Sequence, residues 1–344
     1  MIRILAIETS CDETSAAVVQ DGRRVLSNTV ASQVDFHAKY GGVFPELASR
    51  LHVEVIVPIV AGALEQAHLG WSDLDAVAVT RGPGLAGSLV VGVNAAKGIA
   101  MARHLPLIGV NHLEGHVYAH WLEVEGDGTP QAELAFPLLF LIVSGGHTEL
   151  IVMRDHGQYE LAGQTVDDAA GEAFDKVGRL LQLGYPGGPA IEQAAQRGNP
   201  HAYHFSIPKL DQPYDFSFSG LKTAALRLVQ SKGEIGPDGK LPAGLPVDDI
   251  AASFQAAVIE QLVERSLAAA KTYDVTSVLL SGGVSANRAL RTAMKARCPV
   301  PVHWPPLWLC TDNAAMIGAA AFWHYQAGQR DGWAMDVEAN LRLA

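Results

Sequence analysis

The stretch IRILAIETSCDETSAAVVQDGRRVLSNTV, residues 2–30, alternates short apolar runs with polar turns. Apolar runs of this length, bounded by turn residues, are typical of β-strands. The runs are Ile2–Ile7, Ala16–Val19 and Val25–Val30. The turn at Glu8–Ser15 is polar, and Asp21-Gly22 is a strong hairpin signal. The stretch therefore predicts a β-turn-β-turn-β unit that begins a sheet.

The same plan returns at residues 137–165, where PLLFLIV predicts a buried strand, SGGHT a polar turn and ELIVM a second strand. RDHGQ is another turn, before YELAGQT. Elsewhere the predicted helices are Val53–His68, Ser88–Arg103, Ile250–Thr272 and one from Asn287, and the predicted strands are Leu74–Thr80, Leu107–Val110 and Ser277–Leu280. This alternation is typical of parallel strands covered by helices. We expect an α/β protein with an internal duplication.

The composition predicts two ordered domains: the chain has 344 residues, 49% of them hydrophobic and 18% charged. Its formal charge of −11 argues against loose, charge-driven binding to nucleic acid. Its 3 cysteines are too scattered for a disulfide framework or a CxxC metal site. The longest apolar run, near Leu134–Val143, is half a membrane span, and the first residues read as a strand rather than a signal peptide. We expect a cytoplasmic protein.

Two histidines in NHLEGHVYAH have helical i, i+4 spacing. This spacing would stack the imidazoles of His112 and His116 on one helix face, where they suit a shared metal. Two ordinary helix histidines are the alternative interpretation. The zinc-peptidase motif H-E-x-x-H is absent here, because Leu113 follows His112 and Glu114 comes one position later.

Asp312 in CTDNAAMIGAA is the candidate for a third ligand. It precedes an alanine-rich predicted helix, so an ordinary N-cap is the alternative interpretation. Two histidines and one carboxylate would make an open site suited to iron or zinc.

Two glycine-rich turns follow predicted strands. VSGGHTEL contains Ser144-Gly145-Gly146, and SGGVSANR at Ser281–Arg288 contains Gly282-Gly283 before a helix start. Exposed backbone N–H groups in such turns bind phosphate, although a Gly-Gly after a strand is often only a turn. Together with the turn at Glu8–Ser15, the pair favours a nucleotide site.

The segment Gly82–Gly87 satisfies G-x-G-x-x-G between a predicted strand and a helix. A dinucleotide site needs an acidic residue about 20 positions further on. No acidic residue occurs between Asp75 and Glu114. We therefore reject an NAD site and expect a structural turn or a contact surface.

The motifs taken together resemble those of the TsaD (Gcp) family, the tRNA N6-adenosine threonylcarbamoyltransferases. The resemblance runs from Ile4 to about Gly318 and rests on seven motifs in order: ETSCDETS, HLEGHVYAH, VSGGHTEL, AFDKVGRLL with YPGGP, FSFSGLKTA, SGGVSANR and CTDNAAMIG. It implies a duplicated two-lobe fold like that of actin, hexokinase and the sugar kinases, with a nucleotide cleft between the lobes. We predict lobes at 1–122 with 310–344 and at 135–309, the second with a helical insertion at about 166–230.

The resemblance also implies a reaction and a site. The family transfers a threonylcarbamoyl group from threonylcarbamoyl-adenylate to N6 of adenosine 37 in tRNAs that read codons beginning with A. The family's pattern assigns one divalent metal, Fe²⁺ first and Zn²⁺ second, to His112, His116 and Asp312. The implied substrate-binding residues are Ile142, Val143, Ser144, Gly145, Gly146, Asp175, Gly188, Glu192 and Asn287. No catalytic base is implied, and Asp12 and Glu13 are candidates by position alone.

The resemblance also implies partner proteins, and this chain departs from the family pattern at two insertions. The family works with TsaB, with the ATPase TsaE and with TsaC, which makes the adenylate. The insertions at 123–133 and 231–247 lengthen loops and concern surface contacts. The competing hypotheses are a metallopeptidase, a sugar kinase or ATPase of the same fold, and a non-catalytic scaffold.

Overall fold

The computed structural model describes residues 1–123, 134–233 and 241–344. Most of the predicted insertion at 123–133 and the centre of the one at 231–247 lie outside the described residues. Within them, the strands are β1 (Arg3–Glu8), β2 (Glu13–Gln20), β3 (Arg24–Ser32), β4 (Ala76–Gly82), β5 (Leu107–Asn111), β6 (Leu138–Val143), β7 (Thr148–Asp155), β8 (Gln158–Gln164), β9 (Ser277–Ser281) and β10 (Val302–His303). The helices are α1 (Val34–Ala38), α2 (Pro45–Gln66), α3 (Ala86–Arg103), α4 (His112–Tyr118), α5 (Ala170–Leu180), α6 (Gly187–Ala195), α7 (Ser219–Ser231), α8 (Val247–Thr272), α9 (Arg288–Arg297), α10 (Leu307–Cys310) and α11 (Ala314–Gln326).

Two five-stranded sheets have the same strand order. The first runs β3-β2-β1-β4-β5, and the second runs β8-β7-β6-β9-β10. In each sheet the first three strands are antiparallel and the last three are parallel. Both units therefore consist of an antiparallel meander followed by parallel strands joined through helices, which confirms the predicted duplication.

The chain divides into two compact units, Met1–Glu133 with Pro305–Ala344, and Leu134–Trp304. Each unit has its own apolar core, built from the inner strands and the helices that cover them. The second boundary lies five residues before the predicted one at 309/310. Two hydrogen bonds, from Leu309 N to Pro306 O and from Cys310 Sγ to Pro305 O, lie at the start of the segment that returns to the first unit.

The helix boundaries depart from the predictions mainly at α2, which begins at Pro45 rather than Val53. Proline is favoured in the first helical turn, where its missing N–H has no partner to lose. α2 is the one described helix that is long and apolar enough to cross a membrane by length and composition, with 33% of the tested window buried. That test is weak by itself, because core helices also pass it. α2 packs on β2 and carries the buried His52, whose Nδ1 lies 2.7 Å from Thr14 Oγ1.

Candidate functional site

The two histidines lie in the first unit, on a short helix that starts where β5 ends. Asn111 caps α4, because its side-chain oxygen accepts hydrogen bonds from Leu113 N at 2.8 Å and Glu114 N at 3.4 Å. His112 is the first residue of the helix and His116 lies one turn later. Their ring centroids are 4.8 Å apart, and both side chains are buried. The predicted shared face is therefore present.

Asp312 lies between α10 and α11 and faces both imidazoles. Its Oδ1 is 3.3 Å from His116 Nε2 and 3.5 Å from His112 Nε2. The alternative interpretation of Asp312 as an N-cap is wrong, because the neighbouring Asn313 caps α11 by accepting from Met316 N. The Asp312 carboxylate is thus directed to the histidines.

The three side chains fit a divalent metal. Their donor atoms all lie within 4.8 Å of one another. Both ring nitrogens of His116 are buried and make no hydrogen bond to the described residues, and the contact of Nε2 with Asp312 Oδ1 is long, at 3.3 Å. Such an orphaned polar group is costly unless something else satisfies it. Two imidazoles and one carboxylate suit iron or zinc and leave positions open for a substrate.

The surroundings of this triad are acidic. Burial opposes ionisation of Asp312, but the adjacent His112 and His116 outweigh it and hold the pKa of Asp312 below its usual range. Burial likewise disfavours the charged form of His112, yet Asp312 and Glu8 raise its pKa well above the ordinary value. Burial, reinforced by Asp12 and Asp312, raises the pKa of Glu13 to about 9. A site with this surplus of carboxyl groups attracts a cation.

Glu114, the acidic residue between the histidines, faces away from them. Its Oε2 is 2.7 Å from Nε2 of His324 on α11. A peptidase of the H-E-x-x-H class needs its glutamate beside the metal as a general base. The geometry therefore removes the residue on which the metallopeptidase hypothesis depends.

The segment Gly82–Gly87 has a structural role next to this site. A Cβ on Gly84 would lie 2.6 Å from Ser10 O, and Leu85 N donates to the same carbonyl oxygen at 2.8 Å. Glycine is required here because the turn after β4 packs directly on the backbone that follows β1. This contact fixes the position of the Glu8–Ser10 segment.

The second unit contains the predicted substrate-binding turns. β6 ends at Val143, and the next turn is closed by a hydrogen bond from Ser144 N to His147 O at 2.9 Å. A Cβ on Gly145 or Gly146 would meet nothing within 4 Å, so this backbone faces open space. In the neighbouring turn Gly282 has φ +84, and its added Cβ would lie 2.5 Å from Val143 O. The ends of β6 and β9 thus form one surface with exposed backbone.

The remaining predicted residues of the second unit form two pairs. Asp175 Oδ1 accepts a hydrogen bond from Gly187 N at 2.7 Å, which brings the carboxylate beside Gly188. A Cβ added to Gly188 would meet nothing within 4 Å, so the backbone there faces open space. Glu192 Oε1 accepts from Arg288 N at 2.9 Å, which brings it beside Asn287. Asn287 caps α9 through Leu290 N.

Sequence reasoning missed several residues that hold these side chains in place. Glu8 contacts His112, and Thr80 donates to Glu8. His324 pairs with Glu114, and Gln255 Oε1 accepts from Asn287 Nδ2 at 2.8 Å. Glu8 belongs to the ETSCDETS motif at the end of a predicted strand, which was a usable signal. Gln255 and His324 lie on long helices, and nothing in their local sequence distinguishes them.

A profile of the family described as TsaD, tRNA N6-adenosine threonylcarbamoyltransferase, matches residues 24–319. The chain belongs to the TsaD family. A relative in Thermomicrobium roseum is 57% identical over 99% of this chain and 96% of its own length. One in Symbiobacterium thermophilum is 55% identical over 99% of this chain and 96% of its own. Both are named tRNA N6-adenosine threonylcarbamoyltransferase.

Solved structures with low identity share the fold of this TsaD-family chain. HypF of T. kodakarensis matches with a TM-score of 0.60 at 13% identity, over 95% of this chain and 48% of that one. Component A of the Acidaminococcus fermentans (R)-2-hydroxyglutaryl-CoA dehydratase matches with 0.52 at 14%, over 96% and 100%. At these identities the likeness concerns the fold alone. It confirms the predicted two-lobe α/β fold of the actin and hexokinase class.

Replacing His116 with Ala should abolish tight metal binding and lower the stability of the fold, because the Asp312 carboxylate loses a buried partner. We expect the dissociation constant for Zn²⁺ to rise by at least about 100-fold, since losing a ligand costs no less than losing an outer partner. Competition with a chromophoric chelator measures the constant, and a thermal melt checks the fold. If His116→Ala still binds one equivalent of Zn²⁺ tightly, the assignment of His116 as a metal ligand is wrong.

The Glu114–His324 pair should make stability depend on pH. Burial disfavours charging of His324, but Glu114, then Gln329 and Asp331, outweigh it and raise its pKa above the ordinary value of 6.5. A raised pKa stabilises the fold below the unfolded value, and this contribution is lost as pH rises through the folded pKa.

Glu114→Gln should therefore cost about 1–3 kcal/mol at pH 6 and less at pH 9. Thermal melts of both proteins in chelator across this range measure the difference. If Glu114→Gln loses the same free energy of unfolding at both pH values, the Glu114–His324 pair contributes only through packing and not through charge.

Proposed function

We propose that the chain transfers the threonylcarbamoyl group from threonylcarbamoyl-adenylate to N6 of adenosine 37 in tRNAs that read codons beginning with A. The N6 nitrogen forms a new C–N bond to the carbamoyl carbon and loses a proton. The bond from that carbon to the phosphate oxygen breaks, and AMP leaves. The observation that carries this proposal is identity of 57% over 99% of the chain to a protein named for this transfer.

The triad of His112, His116 and Asp312 would hold one divalent metal, Fe²⁺ in preference to Zn²⁺. When bound, the metal supplies a Lewis acid that polarises the transferred carbamoyl group. His116 supports this assignment most directly, because its buried nitrogens lack any other partner among the described residues. Glu13 is protonated at neutral pH in the metal-free protein, since its pKa is about 9, so it does not accept the proton of N6 in that state. No residue is assigned as a catalytic base, and Asp12 stays a candidate by position.

The second unit would bind the adenylate. The segment Ile142–Gly146 would bind the leaving phosphate with the amides of Gly145 and Gly146 as donors, because donors aimed at developing negative charge lower the barrier. The open space around Gly145, Gly146 and Gly188 supports close approach of a ligand to the backbone. Asp175, Glu192 and Asn287 carry the hydrogen-bonding groups that ribose and adenine require. Adenine N6 is a weak nucleophile, so fixed positioning of the reactants should contribute much of the rate.

Nucleoside mass spectrometry tests the transfer directly. The protein is mixed with TsaB, TsaE, ATP, threonylcarbamoyl-adenylate and a tRNA with unmodified adenosine 37, and the digest is scanned for threonylcarbamoyladenosine. We expect product from the wild type and from Glu114→Gln, and none from His112→Ala. A tRNA that reads codons with another first base is the substrate control.

Two outcomes would contradict the proposal. The first is no product from the wild type when a known homologue works with the same partners and tRNA. The second is full product from His112→Ala, which would leave the transfer possible and remove the metal from it.

TsaB and TsaE, with TsaC upstream, are the proposed partners, and the cytoplasm is the proposed location. The net charge of −11 supports an enzyme that shares the holding of tRNA with other proteins. We propose that TsaB binds the glycine turn after β4 and the helices beside it. Exposed apolar residues support this surface: Val57 on α2 is 74% exposed and Val90 on α3 is 41% exposed. Contiguous exposed apolar surface indicates an interaction site.

A charge on this surface should prevent co-purification with TsaB. We expect Val57→Arg to abolish it, and Leu85→Arg at the glycine turn to do the same. Val166→Arg is the matched control, because Val166 is 58% exposed and belongs to the second unit. Unchanged co-purification of Val57→Arg and Leu85→Arg would eliminate this surface as the TsaB contact.

A further inference from the structure

Glu8, the last residue of β1, is a fully buried carboxylate that the proposed reaction does not use. A buried carboxylate is costly unless hydrogen bonds compensate for the lost water. Its position is set by the sheet, because β1 pairs in parallel with β4 and Ile7 lies opposite Val79. Glu8 and Thr80 are therefore next to each other at one edge of the sheet, the edge at which β5 ends and α4 begins.

Two donors and the imidazole of His112 contact this carboxylate. Oε1 accepts from Ser10 N at 2.5 Å. Oε2 accepts from Thr80 Oγ1 at 2.6 Å and lies 3.0 Å from Nδ1 of His112. An ionised carboxylate only accepts hydrogen bonds, so the proton in the last contact belongs to Nδ1 of the imidazole.

This contact, with a second one at 3.2 Å between Ser10 Oγ and the same Nδ1, determines which nitrogen of His112 is available to a metal. With Nδ1 donating to Glu8, Nε2 is the nitrogen that can bind a metal, which displaces any proton there, and Nε2 is the atom that faces Asp312 at 3.5 Å. His116 has no equivalent support: its Nδ1 is buried without a hydrogen-bond partner among the described residues. Glu8 thus acts on one of the two imidazoles.

We propose that Glu8 is a positioning residue that holds His112 with Nδ1 protonated and Nε2 directed to the metal. Ligating histidines commonly donate their other N–H to a carboxylate, which fixes the ring and increases the basicity of the ligand. Thr80 and Ser10 N hold Glu8 itself in place from β4 and from the turn after β1. This inference rests on the proposed metal centre.

Glu8→Gln tests it with almost no change of shape. The NH₂ group of the amide must face either Ser10 N–H or the Thr80 and His112 donors. In both orientations, two hydrogen-bond donors face each other. We expect the dissociation constant for Co²⁺ to rise by about 10–100-fold. The visible absorption of bound Co²⁺ should also change, because the ring of His112 is no longer fixed. Chelator competition and absorption spectra measure both without tRNA or turnover.

Glu114→Gln is the matched control, since Glu114 is a buried carboxyl on the same helix that pairs with a histidine outside the triad. Its Co²⁺ affinity and spectrum should equal those of the wild type. Thr80→Val removes one donor to Glu8 and leaves the other contacts, so a smaller rise in the dissociation constant is expected. It also serves as the test if Glu8→Gln does not fold, as judged by thermal melts.

The outcomes separate this inference from the metal centre. Wild-type affinity and spectrum in folded Glu8→Gln, or in Thr80→Val where Glu8→Gln does not fold, would overturn the role of Glu8 alone. Failure of the wild type to bind Co²⁺, Zn²⁺ or Fe²⁺ would overturn the metal centre and this role with it. Weakened binding in Glu8→Gln with an unchanged Glu114→Gln would support both.

Discussion

The parallel pairing of β1 with β4, and of β6 with β9, is the constraint on which the rest of the structure depends. Parallel strands leave their sheet at the same edge, so the turns that follow them come together whatever their spacing in the chain. In the first unit this brings together Glu8 and Thr80, which are 72 residues apart, and β5 adds His112 to the same edge. In the second unit it brings Val143 and Gly282 into contact. The apolar residues of β1, β4, β6 and β9, which are buried, maintain this pairing.

Charge burial is the second constraint, and it acts in the first unit. Glu8 and Asp312 both approach the same imidazole, His112, from its two nitrogen sides. Removing one partner of such a group leaves another buried charge uncompensated, which is far more costly than losing an exposed ion pair. The carboxylates and the histidines therefore depend on one another. This dependence explains why the turn after β1 is held by so many backbone contacts, including those of Gly84 and Leu85 with Ser10 O.

The sequence predicts much of the fold and of the metal triad. The features that it does not predict depend on which segments the packed fold brings together. The positions of most strands and the duplication follow from apolar runs and turn residues, which are local signals. The helical face of His112 and His116 follows from their spacing. The role of Asp312 could not be separated from an N-cap by local pattern, because Asn313 satisfies the same pattern and takes the cap. The contacts of Asn287 with Gln255 and of Glu114 with His324 join segments 32 and 210 residues apart, and only the packed fold creates them.

The two units have the same strand order, but the turns that follow their first parallel strands differ in side chains. In each unit a glycine after the second parallel strand packs on a backbone carbonyl near the end of the first: Gly84 on Ser10 O, and Gly282 on Val143 O. The backbone constraint is thus the same, but the turns differ in side chains. The turn after β1 carries the carboxyl group of Asp12, which suits a cation. The turn after β6 carries two open glycines, whose bare amides suit an anion. Because the strand pairing depends on buried apolar residues, the turns were free to diverge without loss of the fold.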